Sequence, residues 1–183
     1  MIILTGRSAS GKTTIARELI ERYGFKKFVT HTTRLPRVGE VNHRDYHFVS
    51  KDEFNKKKLN GDFIETMEYN DNFYGSAKAD IGSDKVLIVD IKGANHFSKY
   101  VGSDSVFFFI TCSDSILEKR MIDRGDSKEN IAKRLKSDKI IFDKSLMNRI
   151  DYEIDTSDVS IDLVTDIVFK LYNEYIDAHK KIV

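Results

Sequence analysis

Residues 6–13 have the types and spacing of a phosphate-binding loop. They read GRSASGKT and fit the pattern G-x-x-x-x-G-K-[ST]. In such a loop the glycines let backbone amides converge on phosphate oxygens, Lys12 neutralises the β and γ phosphates, and the Thr13 hydroxyl ligates magnesium. We therefore predict a site for a nucleoside triphosphate and Mg²⁺. Its candidate binding residues are Gly6, Ser8, Ser10, Gly11, Lys12, Thr13 and Thr14.

A second candidate magnesium ligand is Asp90, which follows the apolar run 86–89. A carboxylate at the end of a strand beside the phosphate loop orients the metal ion or its water ligands in enzymes of this kind. The alternative is structural, because an Asp in this position can also cap the first turn of the next helix.

A phosphate loop does not select the reaction, since kinases, GTPases and motor ATPases all use one. The sequence lacks the Asn-Lys-x-Asp element with which GTPases normally read guanine. The run 43–45 (HRD) resembles part of the protein-kinase catalytic loop, but the downstream Asn is missing and the chain is too short for that fold. His43 and His47 have the spacing of zinc-binding helix pairs, yet they flank a strand-like segment. We interpret both as surface or edge residues.

The phosphate loop must be held by the elements around it. Residues 2–4 predict a short strand before it, and the helical spacing that begins at Thr13 predicts a helix after it, closed by Gly24. The apolar runs 86–91 and 106–110 suit strands of a parallel sheet that is covered on both faces. Alternating strands and helices therefore predict an α/β fold with three layers.

The rest of the chain divides into an insertion and a helical carboxyl-terminal part. Residues 28–84 are rich in Tyr, Phe, Asp and Asn and suggest an inserted subdomain with some β character. The helical pattern of 115–149 is interrupted at 124–126, which makes this break a candidate flap. A short strand at 152–154 and an amphipathic helix from Ile161 complete the pattern.

The composition excludes several functional classes. The chain has 183 residues, 40% of them apolar, and 30 basic against 29 acidic residues give a net charge of +1. This balance offers no general argument for nucleic-acid binding. The longest apolar run, 106–110, is far too short to span a bilayer, and the single cysteine cannot form an intrachain disulfide. The amino terminus has no secretory signal pattern. We expect a cytoplasmic protein, monomer or homodimer, that binds neither nucleic acid nor a membrane.

Further segments resemble the guanylate kinase family, and the resemblance covers about residues 1–155. The matching segments are THTTRLPRVGE at 30–40, DYHFV at 45–49, FIE at 63–65, NFYGS at 72–76, VDI at 89–91, Arg120, Arg124-Gly125 and KRL at 133–135. The resemblance implies a P-loop NTPase fold with a parallel sheet, an inserted mixed α/β subdomain that binds a nucleoside monophosphate, and a helical lid. In a single domain, the core would span about 1–29, 85–118 and 138–183, the insert 30–84 and the lid 119–137.

The resemblance also implies roles for individual residues. The positions of Arg34, Arg37, Tyr46 and Tyr74 grip the monophosphate of GMP in the family, and that of Glu65 reads guanine through N1–H and the 2-amino group. The resemblance also places Thr30 and Ser76 near the base, and it implies that Asp90 contributes to substrate binding as well as to the magnesium site. The expected lid arginines are Arg120, Arg124 and Arg134, which close on the transferring phosphoryl group; Lys12 and Arg34 complete the catalytic set.

The implied activity is phosphoryl transfer from Mg-ATP to GMP, with dGMP as a second expected acceptor. Two alternatives stay open: a related P-loop kinase with another acceptor, and a non-catalytic module that binds a phosphorylated peptide. The departures from the family pattern include three positions in the two subsites, besides residues 155–157, which replace a stretch that often holds Asn. Arg7 and Ala9 stand where the loop commonly has Pro and Gly, and Lys92 replaces a second acid on the guanine side.

Overall fold

Residues 1–180, which a computed structural model describes, form an α/β structure with two sheets. The strands are β1 Ile2–Thr5, β2 Lys26–Lys27, β3 His31–Thr32, β4 His47–Phe48, β5 Phe63–Tyr69, β6 Asn72–Ala77, β7 Lys85–Ile88, β8 Val106–Thr111 and β9 Tyr152–Asp155. The helices are α1 Lys12–Tyr23, α2 Lys51–Leu59, α3 Ile91–Phe97, α4 Asp114–Asp123, α5 Lys128–Ile141 and α6 Ile161–Lys180. Short 3₁₀ turns lie at Lys78–Asp80 and Lys144–Leu146.

The main sheet is parallel throughout, with the strand order β2-β7-β1-β8-β9. Its central strand β1 is buried on both faces. Ile2 and Leu4 belong to the cluster that includes residues of α1 and α6, whereas Ile3 packs on the other face with Phe97 of α3. Successive side chains of a strand point to opposite faces, so a strand covered on both sides must be apolar at every position. This confirms the predicted three-layer α/β fold.

The insertion forms the second sheet, in the order β4-β3-β6-β5. Its longest pairing is the antiparallel hairpin β5–β6, and β3 pairs antiparallel with β6 and parallel with β4. A small apolar cluster of Phe54, Phe63 and Ala77 fastens α2 to this sheet. The long hairpin thereby holds the polar side chains of β5 and β6 in fixed register.

The helical segment after β8 breaks where the sequence predicts. Helix α4 ends at Asp123, Gly125 takes a left-handed φ of 87°, and α5 begins at Lys128 after the cap Ser127. Leu117 and Met121 of α4 pack against Ile131 of α5, and Ala9 of the phosphate loop lies against the same cluster. The helix pair therefore packs directly on the loop.

Two predicted boundaries differ from the structure. The strand predicted over 86–91 ends at Ile88, because Asp90 accepts a hydrogen bond from Gly93 N (2.8 Å) and starts α3. The helical pattern predicted to about Arg149 ends at Ile141, where a 3₁₀ turn capped by Asp143 takes over. Within the part of the chain that the structure describes, none of the helices combines the length and apolar character needed to cross a membrane.

Candidate active site

The phosphate loop joins β1 to α1, and two of its glycines are required by close packing. A side-chain carbon at Gly6 would lie 2.2 Å from the carbonyl oxygen of Ile110, and one at Gly11 would lie 2.7 Å from Ile161 Cδ1. Both residues also have positive φ, 140° and 101°. Ala9 has a left-handed φ of 62°, at the position where the resemblance expects glycine. The loop therefore keeps its tight path at the cost of a strained alanine.

Lys12 lies inside the loop rather than in solvent. Its ammonium donates to the carbonyl oxygen of Arg7 (2.6 Å) and to the hydroxyl of the buried Ser10 (3.3 Å). Burial lowers the pKa of Lys12 from 10.5 to about 8, and the negative charge of Asp138 partly opposes this shift. An ammonium held by one carbonyl oxygen and one hydroxyl of the loop is positioned to turn toward a phosphate group.

Helix α5 contributes a carboxylate to the loop, and the sequence analysis did not identify it. The amide of Ser8 donates to Asp138 Oδ2 (2.7 Å), and Asp138 is buried although it is charged. Arg7, one of the departures from the family pattern, reaches Asp114 of α4 (2.5 Å) and the carbonyl oxygen of Leu135 in α5 (3.3 Å). The Ser8 amide, a predicted phosphate donor, is therefore bound to a protein carboxylate in this conformation.

Arg120 braces the loop against the end of β9. Its guanidinium donates to Ala9 O (3.3 Å), to Thr156 Oγ1 (3.0 Å) and to Thr156 O (2.7 Å). The Thr156 hydroxyl in turn donates to the carbonyl oxygen of Ser10 (3.0 Å). A cavity of about 360 Å³ opens beside this brace. It is lined by Ala9, Gly11, Lys12, Thr13, Thr14, Arg120, Arg124 and Ile161.

The insert builds a second, smaller cavity of about 160 Å³. Its lining contains all five of the predicted base and phenol residues of the monophosphate side. The complete lining is Thr30, Tyr46, Glu65, Met67, Tyr74, Gly75 and Ser76. Glu65 comes from β5, Tyr74 and Ser76 from β6, and Thr30 and Tyr46 from the residues just before β3 and β4, so the pairing of the four strands brings them together.

Arg34 lies next to this second cavity. The centre of its guanidinium is 5.4 Å from the Tyr46 ring, and the rings of Tyr46 and Tyr74 are 6.1 Å apart. Glu40 accepts two hydrogen bonds from Arg34 (2.8 and 2.9 Å), and these bonds above all raise the pKa of Arg34. The same carboxylate accepts from the amide of Arg37, whose own side chain is exposed. Glu40 therefore holds the place that an anionic ligand of Arg34 would take.

Glu65 has two neighbours in the free chain. The hydroxyl of Ser76 lies 3.4 Å from Oε1, and His96 Nδ1 of α3 lies 3.2 Å from Oε2. His96 is one helical turn beyond Lys92, so the same face of α3 approaches the base-reading carboxylate. His96 is a site neighbour that the sequence analysis missed, since only the packing of α3 on β5 reveals it.

A groove of about 440 Å³ shares lining residues with both cavities. It shares Thr13 with the cavity at the phosphate loop, and it shares Thr30 and Tyr46 with the cavity of the insert. Its floor includes Val86 and Leu87 of β7. Both cavities therefore adjoin one groove, and the phosphate loop beside it follows the carboxyl end of β1, where parallel α/β sheets commonly bind ligands.

Three predicted residues stand apart from these cavities. Asp90 is exposed at the end of the β7 segment and caps α3. Arg134 is exposed on α5, and Arg37 is exposed on the loop before Glu40. Arg124 lines the first cavity while it pairs with Asp126. The structure thus gathers the loop, Arg120, Arg124 and the other predicted insert residues, and leaves Arg37, Asp90 and Arg134 exposed outside the cavities.

The family profile described as guanylate kinase matches residues 1–164 of the chain. The chain belongs to the guanylate kinase family. It is 36% identical over 171 residues to the guanylate kinase of Streptococcus thermophilus (strain CNRZ 1066), which covers 88% of this chain and 80% of the relative. It is 34% identical over 153 residues to the guanylate kinase of Sus scrofa, which covers 79% of this chain and 77% of the relative.

The comparison of structures agrees with the sequence match. The crystal structure of guanylate kinase from Anaplasma phagocytophilum superposes with a TM-score of 0.64 at 26% identity, over 95% of this chain and 84% of that one. Membership of a guanylate kinase family fits a cleft with two polar subsites, one at a phosphate loop and one beside a guanidinium and two phenols.

Proposed function

We propose that this chain is a guanylate kinase that transfers the γ-phosphoryl group of Mg-ATP to GMP, giving ADP and GDP, with dGMP as a second acceptor. The observation that carries the proposal is the common cleft: the groove shares lining residues with the phosphate-loop cavity and with the insert cavity. Two anionic substrates bound in these cavities face each other across it, which is what direct transfer of a phosphorus atom requires.

The donor side is assigned to the phosphate loop and the arginines beside it. The amides from Gly6 to Thr14 and the ammonium of Lys12 surround the triphosphate, while Arg120 and Arg124 face it from α4. The magnesium ion is assigned to the exposed hydroxyl of Thr13, a hard oxygen donor that lines the phosphate-loop cavity. Asp90 stays the predicted second ligand; its carboxylate lies outside that cavity and accepts from Gly93 N in this conformation. When bound, the ion neutralises charge on the phosphate oxygens.

The acceptor side is assigned to the insert. Arg34, Arg37, Tyr46 and Tyr74 would hold the GMP phosphate, because guanidinium groups bind phosphate oxygens in pairs and phenols donate to them. Arg34 must exchange Glu40 for the phosphate to do this. Glu65 accepts from guanine N1–H and the 2-amino group, with Thr30 and Ser76 beside the base. Adenine offers an acceptor at N1, so the same carboxylate repels it.

The transfer needs no general base from the protein. The second pKa of a phosphate monoester is about 6, so GMP is mostly a dianion near neutral pH and its oxygen is already a nucleophile. That oxygen bonds to the γ phosphorus as the bond to the β–γ bridging oxygen breaks, and ADP leaves. The chain contributes alignment and positive charge, with Arg134 arriving as the helical lid closes and water is excluded.

The test is an acceptor panel with purified protein. GMP, dGMP, AMP, CMP and UMP are each incubated with Mg-ATP, and nucleoside diphosphates are quantified by chromatography. We expect turnover with GMP and dGMP only. Lys12→Ala should abolish turnover and leave GMP binding intact, whereas Lys170→Ala, an exposed charge on α6, should match the native chain. Turnover without preference for guanine would overturn the proposed acceptor.

We also propose the metabolic role of this reaction and the cellular compartment in which it takes place. Guanylate kinase activity belongs to purine nucleotide metabolism, and we place it in the cytoplasm. The intact Lys12 and Thr13 favour an enzyme over a phosphopeptide-binding module, since a module has no use for a triphosphate site. Binding of a phosphopeptide without binding of ATP or GMP would favour the module instead.

A further inference from the structure

Two histidines and a carboxylate converge in the insert, away from the cavity that Glu65 lines. His31 of β3 and His47 of β4 are direct partners in the parallel pairing of these strands. Asp80 ends the 3₁₀ turn that follows β6 and leads the chain back toward the main sheet. One candidate ligand atom from each of the three residues lies within 4.8 Å of the other two. The proposed phosphoryl transfer uses none of them.

The cluster holds buried polar atoms that the protein does not satisfy. His31 Nδ1 and Asp80 Oδ2 are both buried and lack a hydrogen-bond partner among the described residues. They lie 3.7 Å apart, and His47 Nε2 lies 3.5 Å from Asp80 Oδ1. Both separations exceed an ordinary hydrogen bond. Unsatisfied buried groups of this kind require a bridging water or ion, or else they destabilise the fold.

The distances favour a metal ion over a water molecule. With bonds of about 2.1 Å, a cation would span His47 Nε2 and Asp80 Oδ1 (3.5 Å) at an angle of about 113°, or His31 Nδ1 and Asp80 Oδ2 (3.7 Å) at about 124°. The two distances end on different carboxylate oxygens, so the Asp80 carboxylate has to turn to present one oxygen to an ion that both rings bind. A water hydrogen-bonded at about 2.8 Å to both atoms would need angles near 80°. The candidate ligand atoms lie within 4.8 Å of one another, and two ligands of one ion with bonds of about 2.1 Å lie at most about 4.2 Å apart, so any longer separation has to shorten when the ion binds.

The protonation of the two rings is also suitable, because only a neutral imidazole can ligate a metal. Burial lowers the pKa of His31 to about 4, with the positive charge of Lys57 acting in the same direction and the negative charge of Asp80 opposing it. Burial likewise lowers the pKa of His47, against the opposing effect of Asp80. The rings are therefore neutral at physiological pH, and an ion pair with Asp80 does not account for the cluster.

One contact must change when a cation binds. The amide nitrogen of Asn42 lies 3.2 Å from His43 Nε2, and His43 Nδ1 lies 2.8 Å from His47 Nδ1. Since Asn42 Oδ1 accepts from the amides of His43 and Phe48, its NH₂ group donates to His43, and His43 donates to His47. The proton of His47 is then on Nε2, facing Asp80. A cation at Nε2 moves this proton to Nδ1, so the exposed His43 ring has to turn away.

We propose that His31, His47 and Asp80 bind one divalent transition-metal ion of the zinc type, with water in the fourth position. Imidazole nitrogen with one carboxylate oxygen is a donor set that zinc accepts and magnesium does not prefer. The ion joins β3 and β4 to the turn after β6, so it fastens the edge of the insert that carries Tyr46. This site is independent of the proposed kinase activity.

The test is calorimetric titration of the nucleotide-free protein with Zn²⁺ in a buffer that contains millimolar Mg²⁺. We expect one zinc ion per chain in the native protein. His47→Gln and Asp80→Asn should each weaken binding at least tenfold, whereas His96→Gln and His179→Gln, outside the cluster, should bind as the native chain does. His43→Ala should bind at least as tightly as the native chain, because the opposing donor has gone.

Two further measurements keep the outcome clear if a variant folds poorly. Far-UV circular dichroism verifies the fold of each variant before titration. Thermal unfolding of the native chain at free zinc of 100 times Kd should shift Tm upward by about 5–10 °C, and Asp80→Asn should show little shift. Absence of stoichiometric zinc binding in the native chain, or native affinity in folded His47→Gln and Asp80→Asn, would overturn the proposal.

Discussion

The buried ammonium of Lys12 predicts an alkaline limit to the use of ATP. Burial lowers its pKa to about 8, and only the protonated side chain can neutralise the β and γ phosphates. About nine tenths of the chains carry the charge at pH 7 and about one tenth at pH 9. We therefore expect kcat/KM for ATP to fall about tenfold between these pH values. The fall in kcat should come at higher pH, because bound phosphates favour the ammonium form.

Asp138 supplies the test of this reasoning. Its negative charge raises the pKa of Lys12, so Asp138→Asn removes that support and should move the alkaline midpoint of kcat/KM to lower pH. The matched control is Asp123→Asn, which removes an exposed carboxylate at the end of α4. Initial rates are measured by chromatography of ADP and GDP from pH 6.5 to 10 at saturating GMP and constant ionic strength. A flat kcat/KM up to pH 10, or an unmoved midpoint in Asp138→Asn, would refute the assignment.

Three further substitutions test other parts of the cleft. Glu65→Gln should lower kcat/KM for GMP by about 10- to 100-fold, because charged hydrogen bonds are lost, while stability against urea changes little. An unaltered ratio of kcat/KM for GMP to kcat/KM for AMP would contradict the assigned role of Glu65. In Arg120→Lys the single ammonium cannot contact Ala9 and Thr156 together. We expect the free energy of unfolding to fall by about 1–3 kcal/mol and kcat/KM for ATP to fall at least tenfold. A loss of stability without a loss of kcat/KM would show that Arg120 has only a structural role. Lys92→Asp should tighten GMP binding in a direct titration by up to about fivefold, and no change would show that this charge acts elsewhere.

The sequence predicted the parts of the site that lie within short segments. The phosphate loop was visible because its residues must be adjacent to wrap one phosphate group, and β1 and α1 follow from that position. The resemblance supplied the insert residues, and the structure places Tyr46, Glu65 and Tyr74 around one cavity. Their roles in binding GMP stay predictions until the acceptor panel is measured.

The sequence could not predict contacts between distant segments. Asp138 lies 130 residues from Ser8, in a helix that reads as a basic solvated face, so only the docking of α5 reveals its hydrogen bond. No signal in the sequence singled out Asp138, because residues 117–139 hold four other acids, Glu118, Asp123, Asp126 and Glu129. His96 and Glu65 meet for the same reason, through packing of α3 on the insert. Strand β7 ends earlier than predicted because Asp90, within the apolar run 86–91, caps α3.

Arg120 is held in place in the free protein, whereas Arg134 has to move before it can contact a substrate in the cleft. The guanidinium of Arg120 is fixed to Ala9 and Thr156 before any nucleotide arrives, whereas Arg134 stands in solvent on α5. Under the proposed function, nucleotide capture has to release the Ser8 amide from Asp138, and the approach of Arg134 follows as a later step. We expect the free protein to recognise a triphosphate quickly and to complete its cationic shell only when both substrates are seated, which limits wasteful hydrolysis.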